Sequence, residues 1–441
     1  MDLTTVYYVS VSTLEMLKQD HALLFIMIPM VLLFELPLSI LINVGIVRWA
    51  IRQQKNTPLY FHPRVSIIIT CYGEGDAIIQ TVETLCEQIY SGPIQIIPVI
   101  DGAVQNQDTY KAALKCLPMQ QRYNNRTIDI VPKWQRGGRV STLNAGLYRA
   151  TGEIVINVDG DTSFDNNMVY QVLKEFEDPN VPAVGGSLRV RNITDSFWTR
   201  MQTIEYMLSM QGGKTGLAEW NLINNVSGAF GAFRRDFLMH IGGWDTHTAE
   251  DLDLTVRIKQ YMSRHPKLRI PFASLAIGHT DAPVTIKELF NQRLRWDGDL
   301  LFLYLRKHKH AFSPKLLGWK TFLYTLFYGV VLNVVMPILV LIYTVWMAIW
   351  LPIEFFVGVL AVQYLLYLLL SNFHFWVFWF AISERPREDL KMLPWMLLFF
   401  PFYTLTVRFF AAFALVHEWV RRGHEESNMA PWWVLKRGKR F

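Results

Sequence analysis

The chain has 441 residues, 51% hydrophobic, 14% aromatic and 18% charged, with a net charge of +6. That is too apolar for an ordinary soluble protein and too charged for one buried in lipid throughout, which leaves a water-soluble domain joined to membrane segments. The cations gather beside the apolar stretches, at Arg48, Arg52 and Lys55 and again at Arg306, Lys307, Lys309, Lys315 and Lys320; they point to anionic lipid rather than to nucleic acid.

From Ala22 to Val47 the sequence is apolar over a length that spans a bilayer, and no small-residue cleavage site follows, so it reads as a retained anchor within residues 1–58. A domain of ordinary size follows, over residues 59–283. The β-branched run Val65 to Thr70 does not alternate, as a strand covered on both faces should not, and Ala77 to Gln88 has helical spacing. "IQIIPVID" gives a second strand ending at Asp101, and "EIVINVDGD" a third ending at Asp159 and Asp161. Strands alternating with helices predict a mainly parallel α/β sheet, whose ligands sit at the carboxyl ends of the strands. Cys71, Cys86 and Cys116 fit no metal spacing and read as reduced thiols.

Two carboxylates two residues apart at a strand end, Asp159 and Asp161, suit Mg²⁺ or Mn²⁺, which one or two carboxylates share with substrate phosphates. Of the later features, Arg189 and Arg191 read as exposed strand arginines, and His279 as a hydrogen-bonded structural histidine. "HTAEDLDL" places Glu250, Asp251 and Asp253 where a helix would begin, a position that also suits plain dipole stabilisation. Residues 284–318 follow as an interfacial segment: Ile286 to Tyr304 has apolar positions at helical spacing and carries "QRLRW", whose Arg295 can fork onto phosphate and whose Trp296 offers a flat face.

In this order the motifs resemble the membrane-integrated family 2 glycosyltransferases, the synthases of poly-N-acetylglucosamine, hyaluronan, chitin and cellulose. The resemblance implies a GT-A type sheet fused to a transmembrane bundle with interfacial helices. It implies that Tyr72, Glu74, Asp101, Arg139 and Asp159 bind the nucleotide, with Arg139 of "GGRVSTLN" standing where the family has lysine. Asp161 is then the metal residue and Asp251 the catalytic base. Ser227, Gly228 and Trp296 face the acceptor, and Gln292 and Arg295 of Q-x-x-R-W face the diphosphate. The implied activity is processive, inverting β-transfer from a UDP-sugar to a growing glycan, coupled to export across the plasma membrane, with the domain in the cytosol and small membrane or export subunits as possible partners. Its rivals are a transferase adding one sugar to a lipid acceptor and an inactive sugar-binding scaffold.

Residues 319–441 read as a C-terminal bundle with a basic tail. No charged residue occurs from Thr321 to Ile353, and Phe355 to Ile382 is nearly as clean; a further candidate span, Leu393 to Val416, is interrupted by Pro394, Pro401 and Arg408. Four simple crossings place the tail cations, Arg421, Arg422, Lys436, Arg437, Lys439 and Arg440, on the side opposite the domain, against the positive-inside rule. Either the last stretch is re-entrant or a hairpin, or the preceding block hides another crossing. Glu35, Asn333, Gln363, Asn372 and His374 are polar groups within apolar stretches, expected to face the bundle interior, where they would either line a passage for sugar or join helices to one another.

Overall fold

The computed structural model describes residues 31–53, 58–246, 248–310 and 312–422, together with isolated positions before residue 16. The Ala22 to Met30 part of the expected anchor and the tail cations from Lys436 onward lie outside the described residues.

The domain is built on a nine-stranded mixed sheet, ordered β3-β2-β1-β5-β8-β7-β9-β6 with β4 also paired to β2. The strands are β1 Val65–Cys71, β2 Ile94–Asp101, β3 Arg126–Ile128, β4 Val131–Lys133, β5 Ile154–Asp159, β6 Ser163–Phe164, β7 Ala183–Val190, β8 Phe230–Arg234 and β9 Phe272–Thr280. The first five pair in parallel, and β8 enters antiparallel between β5 and β7. β1 shows why its sequence does not alternate. Ile67 and Ile69 sit in the core on one face, Ile68 in the core on the other, and all three are fully buried. Each such side chain contributes about 2 kcal/mol of burial free energy. The helix Arg139–Arg149 lies on that second face through Gly146, where a Cβ would come within 2.4 Å of Ile68. All three cysteines are free and buried.

Among the described residues four helices are long and apolar enough to cross a membrane: Leu33–Gln53, Trp319–Trp350, Ile353–Ala381 and Leu393–Arg421. The first packs backbone to backbone on the helix Lys214–Glu219. Gly45 and Gly216 meet there, and a Cβ on Gly45 would lie 2.1 Å from the Gly216 carbonyl oxygen. His374 bridges the first and third long helices to the domain, through Asn43 at 2.8 Å and the Leu208 carbonyl at 2.9 Å.

One expectation is corrected here. Arg189 is not an exposed strand arginine: it is buried, and its guanidinium forks onto Asp389 at 3.0 and 3.2 Å, in the turn between the last two long helices. The pairing partner lies 200 positions away, and nothing local in "GGSLRVRN" announces it. Arg385 of the same turn binds Asp165 at 2.9 Å, and Asp165 also holds His279, which has the structural role expected of it.

Candidate active site

Parallel register brings the carboxyl ends of β1, β2 and β5 level, with Thr70 opposite Asp159 and Cys71 opposite Ile100, one residue before Asp101. The cleft they open, about 210 Å³, is lined by Thr70, Tyr72, Glu74, Asp101, Arg136, Arg139, Asp159 and Asp161 among others. Six of the residues expected at the site thus share one wall. Asp101 lies at its floor with its carboxylate taken up by the chain: it accepts from Lys133 Nζ at 2.6 Å and from the amides of Gly137 and Gly138 at 2.8 Å. It thereby fixes the turn that launches the helix carrying Arg139. At the mouth, the Arg136 guanidinium lies 3.9 Å above the exposed ring of Tyr72.

Arg139 is the hub. It reaches Asp159 at 2.5 Å, Glu250 at 2.6 Å and the Gly228 carbonyl at 2.7 Å, using three nitrogens of one planar fork. The Gly228 requirement follows directly, since a Cβ there would stand 2.8 Å from Glu250 Oε1 and 3.4 Å from Arg139. Beside this hub, Asp251 accepts from Asn225 at 2.9 Å and from the Gly228 amide at 3.2 Å on one oxygen, and from the Leu252 amide at 2.8 Å on the other. Those three donors fix the direction of the carboxylate. Ser227 and Gly228 therefore shape the loop between the hub and Asp251.

Sequence reasoning missed several groups here. Glu250 reads as a mere neighbour of Asp251, yet it is buried against Arg139. Lys214 is buried too; burial lowers its ammonium to about 8, and the nearby Asp251 carboxylate opposes that shift. Ala249, just before the acidic pair, is held left-handed at φ 52°, an uncommon conformation for a residue with a Cβ. The preceding Thr248 hydroxyl donates to Asp299, on the helix Ile286–Leu301 that carries "QRLRW". On that helix Trp296 packs with Val190, Tyr206 and Ala282, and the Arg293 guanidinium covers its ring at 4.9 Å. The Gln292 side-chain oxygen is buried without a hydrogen-bond partner. Through Thr248 and Asp299 this helix is joined to the segment that leads into Glu250 and Asp251.

Asp299 yields a pH prediction. Burial pushes its carboxyl up to about 7; the Thr248 hydrogen bond and Arg295 oppose the shift, and Glu250 and Asp251 add to it. Between about pH 4 and 7 the unfolded chain has lost this proton while the folded chain keeps it, so stability falls as pH rises through that window. Asp299→Asn removes the penalty. In detergent-solubilised protein the variant should gain up to about 4 kcal/mol on the wild type at pH 8 and almost nothing near pH 4. Equal differences in Tm at the two pH values would refute it.

Glu74, Asp159 and Asp161 place three carboxylates around the cleft. Burial, with the charges of Asp161 and Asp159, raises Glu74 to about 6, and its Oε2 is buried without a partner. Desolvation and Asp159 likewise raise Asp161. Such a cleft is short of positive charge. Among the described residues no group of three or more His, Cys, Asp or Glu side chains is placed to hold a metal ion by itself.

The mixed sheet thus places an acidic cleft at the carboxyl ends of its parallel strands, with a hydrogen-bonded carboxylate beside it, the place where sheets of this kind bind ligands. Residues 66–242 match the family model Glycosyl transferase family 2, so this part of the chain is similar to that family's domain. The chain is 28% identical over 233 residues to poly-beta-1,6-N-acetyl-D-glucosamine synthase of Staphylococcus aureus strain MSSA476, and equally so to that of Staphylococcus epidermidis. Each match covers 53% of this chain and 53% of the relative, so the match spans about half the length of these curated relatives. The fold is similar to that of a mannosyltransferase from Pyrobaculum calidifontis, solved in complex with GDP-Man and Mn²⁺. That likeness has a TM-score of 0.51 and 17% identity, and covers 87% of this chain and 98% of the other.

Proposed function

We propose that this protein is a processive, inverting β-glycosyltransferase that extends a glycan from a UDP-sugar, UDP-N-acetylglucosamine foremost, and passes the product across the membrane. The carrying observation is the position of Asp251: three hydrogen bonds orient its carboxylate, one residue from the Glu250 that shares Arg139 with Asp159. In this reading Asp251 takes the proton of the acceptor hydroxyl as its oxygen bonds to C1 of the donor sugar. The C1–O bond to the diphosphate breaks, and the nucleotide leaves from the opposite face, which inverts the anomeric centre. Tyr72 and Glu74 border the nucleoside, with Asp101 holding the loop that frames it. Asp161 and Asp159 would hold a divalent cation, Mg²⁺ or Mn²⁺, which supplies charge neutralisation to the diphosphate. Gln292 and Arg295 close the site over the diphosphate, and Trp296 borders the acceptor. The polymer-synthase names of the relatives support a polymeric product, and the apolar helices support a membrane setting, with the cationic flanks favouring a cytosolic domain.

The test is to incubate purified protein in detergent with radiolabelled UDP-sugars and Mn²⁺ and to size the products. Long chains, with UDP release abolished by EDTA, are the expected result. A product of one sugar on a lipid would overturn processivity, and no UDP release from any donor would overturn the reaction.

A further inference from the structure

We propose that the helix Leu393–Arg421 does not cross the bilayer but lies within the leaflet nearest the catalytic domain, so that the chain beyond it emerges on the domain's own side. The partner of its outer face is the acyl region of that leaflet. The proposal is independent of the reaction assigned above.

A straight helix of 29 residues is about 43 Å long, against a hydrocarbon core of about 30 Å, so a crossing would put its ends on opposite faces. Here both ends hold the domain. The turn that feeds it is clamped by Arg189–Asp389 and Arg385–Asp165. In its first turn Trp395 stacks under Arg200 at 4.7 Å, and Phe399 meets Phe197 at 5.4 Å. At its middle the Tyr403 hydroxyl donates to Glu205 at 2.5 Å, the carboxylate that also pairs with Arg293. At its last turn Glu418, almost fully buried, accepts from Arg306 at 2.9 Å. From Trp395 to Glu418 is about 35 Å of helix axis, and near its start, middle and end one side of it meets elements of the domain or the segment that carries Gln292 and Arg306, while on another side Tyr364 of the third long helix donates to the Leu397 and Leu398 carbonyls at 2.9 and 3.1 Å.

That second helix cannot itself be a crossing. Asn192 tethers it at Ala282, just before its start, at 2.8 Å, and at its end Lys307 and His308 return to Asp253 of the domain at 3.0 and 2.8 Å. The helix Leu393–Arg421 runs beside it, with Phe290 against Phe410 at 5.0 Å and Leu301 clustered with Leu415. Its deeper side meets the true spans through Arg408, which pairs with Glu35 and covers the Tyr367 ring at 5.4 Å. Leu398, Phe402, Phe413, Val416 and Val420 are exposed at spacings of 4, 11, 3 and 4, one stripe at helical period along its whole length. With three crossings in place of four, the cations from Arg421 to Arg440 fall on the domain's side, and the conflict with the positive-inside rule disappears.

Labelling of single introduced cysteines with a membrane-impermeant maleimide in intact cells tests this, because Cys71, Cys86 and Cys116 are buried and give little background. Tyr60→Cys reports the domain's side and Leu351→Cys the turn between the two middle spans. Arg440→Cys is expected to label with Tyr60→Cys, in the opposite fraction to Leu351→Cys. Labelling of Arg440→Cys together with Leu351→Cys would overturn the proposal. Alkaline phosphatase fused after Phe441 gives a second reading free of cysteine chemistry: activity matching a fusion at Leu351 overturns the proposal, and the opposite activity upholds it.

Discussion

Asp251→Asn is expected to lower sugar transfer by about 10³-fold while the affinity for UDP stays within about twofold of wild type. The substitution is nearly isosteric, and asparagine keeps an oxygen for the Asn225 amide and the Gly228 amide. The variant loses the ability to take a proton, together with one acceptor for the Leu252 amide. The nucleotide cleft is lined by Asp159, Asp161, Glu74 and Arg139 and does not include Asp251, so turnover and nucleotide binding should separate. Single-turnover transfer measured beside UDP binding by calorimetry decides the matter. Retention of a tenth of the wild-type rate, or a loss of UDP affinity as large as the loss of rate, would remove Asp251 from the role of base.

The sequence made the sheet legible because its central strands are runs of isoleucine and valine ending in acid: β1, β2 and β5 fall where "RVSIIITC", "IQIIPVID" and "EIVINVD" place them. The candidate site was legible where chemistry is compressed into neighbours, as in Asp159-Gly160-Asp161. It was illegible where function is shared by distant residues. Arg139 meets Glu250 across 111 positions, Thr248 meets Asp299 across 51, and Arg189 meets Asp389 across 200. No periodicity encodes such pairs; only folding brings them together. The last long helix is a related case: by length and composition it can cross a membrane, while Trp395, Tyr403 and Glu418 tie it to Arg200, Glu205 and Arg306, partners that no local pattern announces.

Arg139→Ala is expected to cost about 3–5 kcal/mol of stability, the usual consequence of removing one member of a buried charge cluster. Asp159 and Glu250 would face each other across the vacated position without a cation, and the Gly228 carbonyl would lose one of its two donors, keeping only Asn157. Arg139→Lys separates charge from geometry. An ammonium presents its donors from one atom, so it cannot span Asp159, Glu250 and Gly228 as the guanidinium fork does. It should recover most of the stability and leave turnover reduced by about tenfold, because the loop carrying Ser227, Gly228 and the hydrogen bond to Asp251 is no longer held. Pairing Arg139→Ala with Glu250→Gln removes one of the two stranded charges and should recover part of the lost stability, a coupling that a double-mutant cycle in detergent measures. Strict additivity of the two substitutions, or a Tm for Arg139→Ala within a degree of wild type, would mean that the hub does not hold the site together.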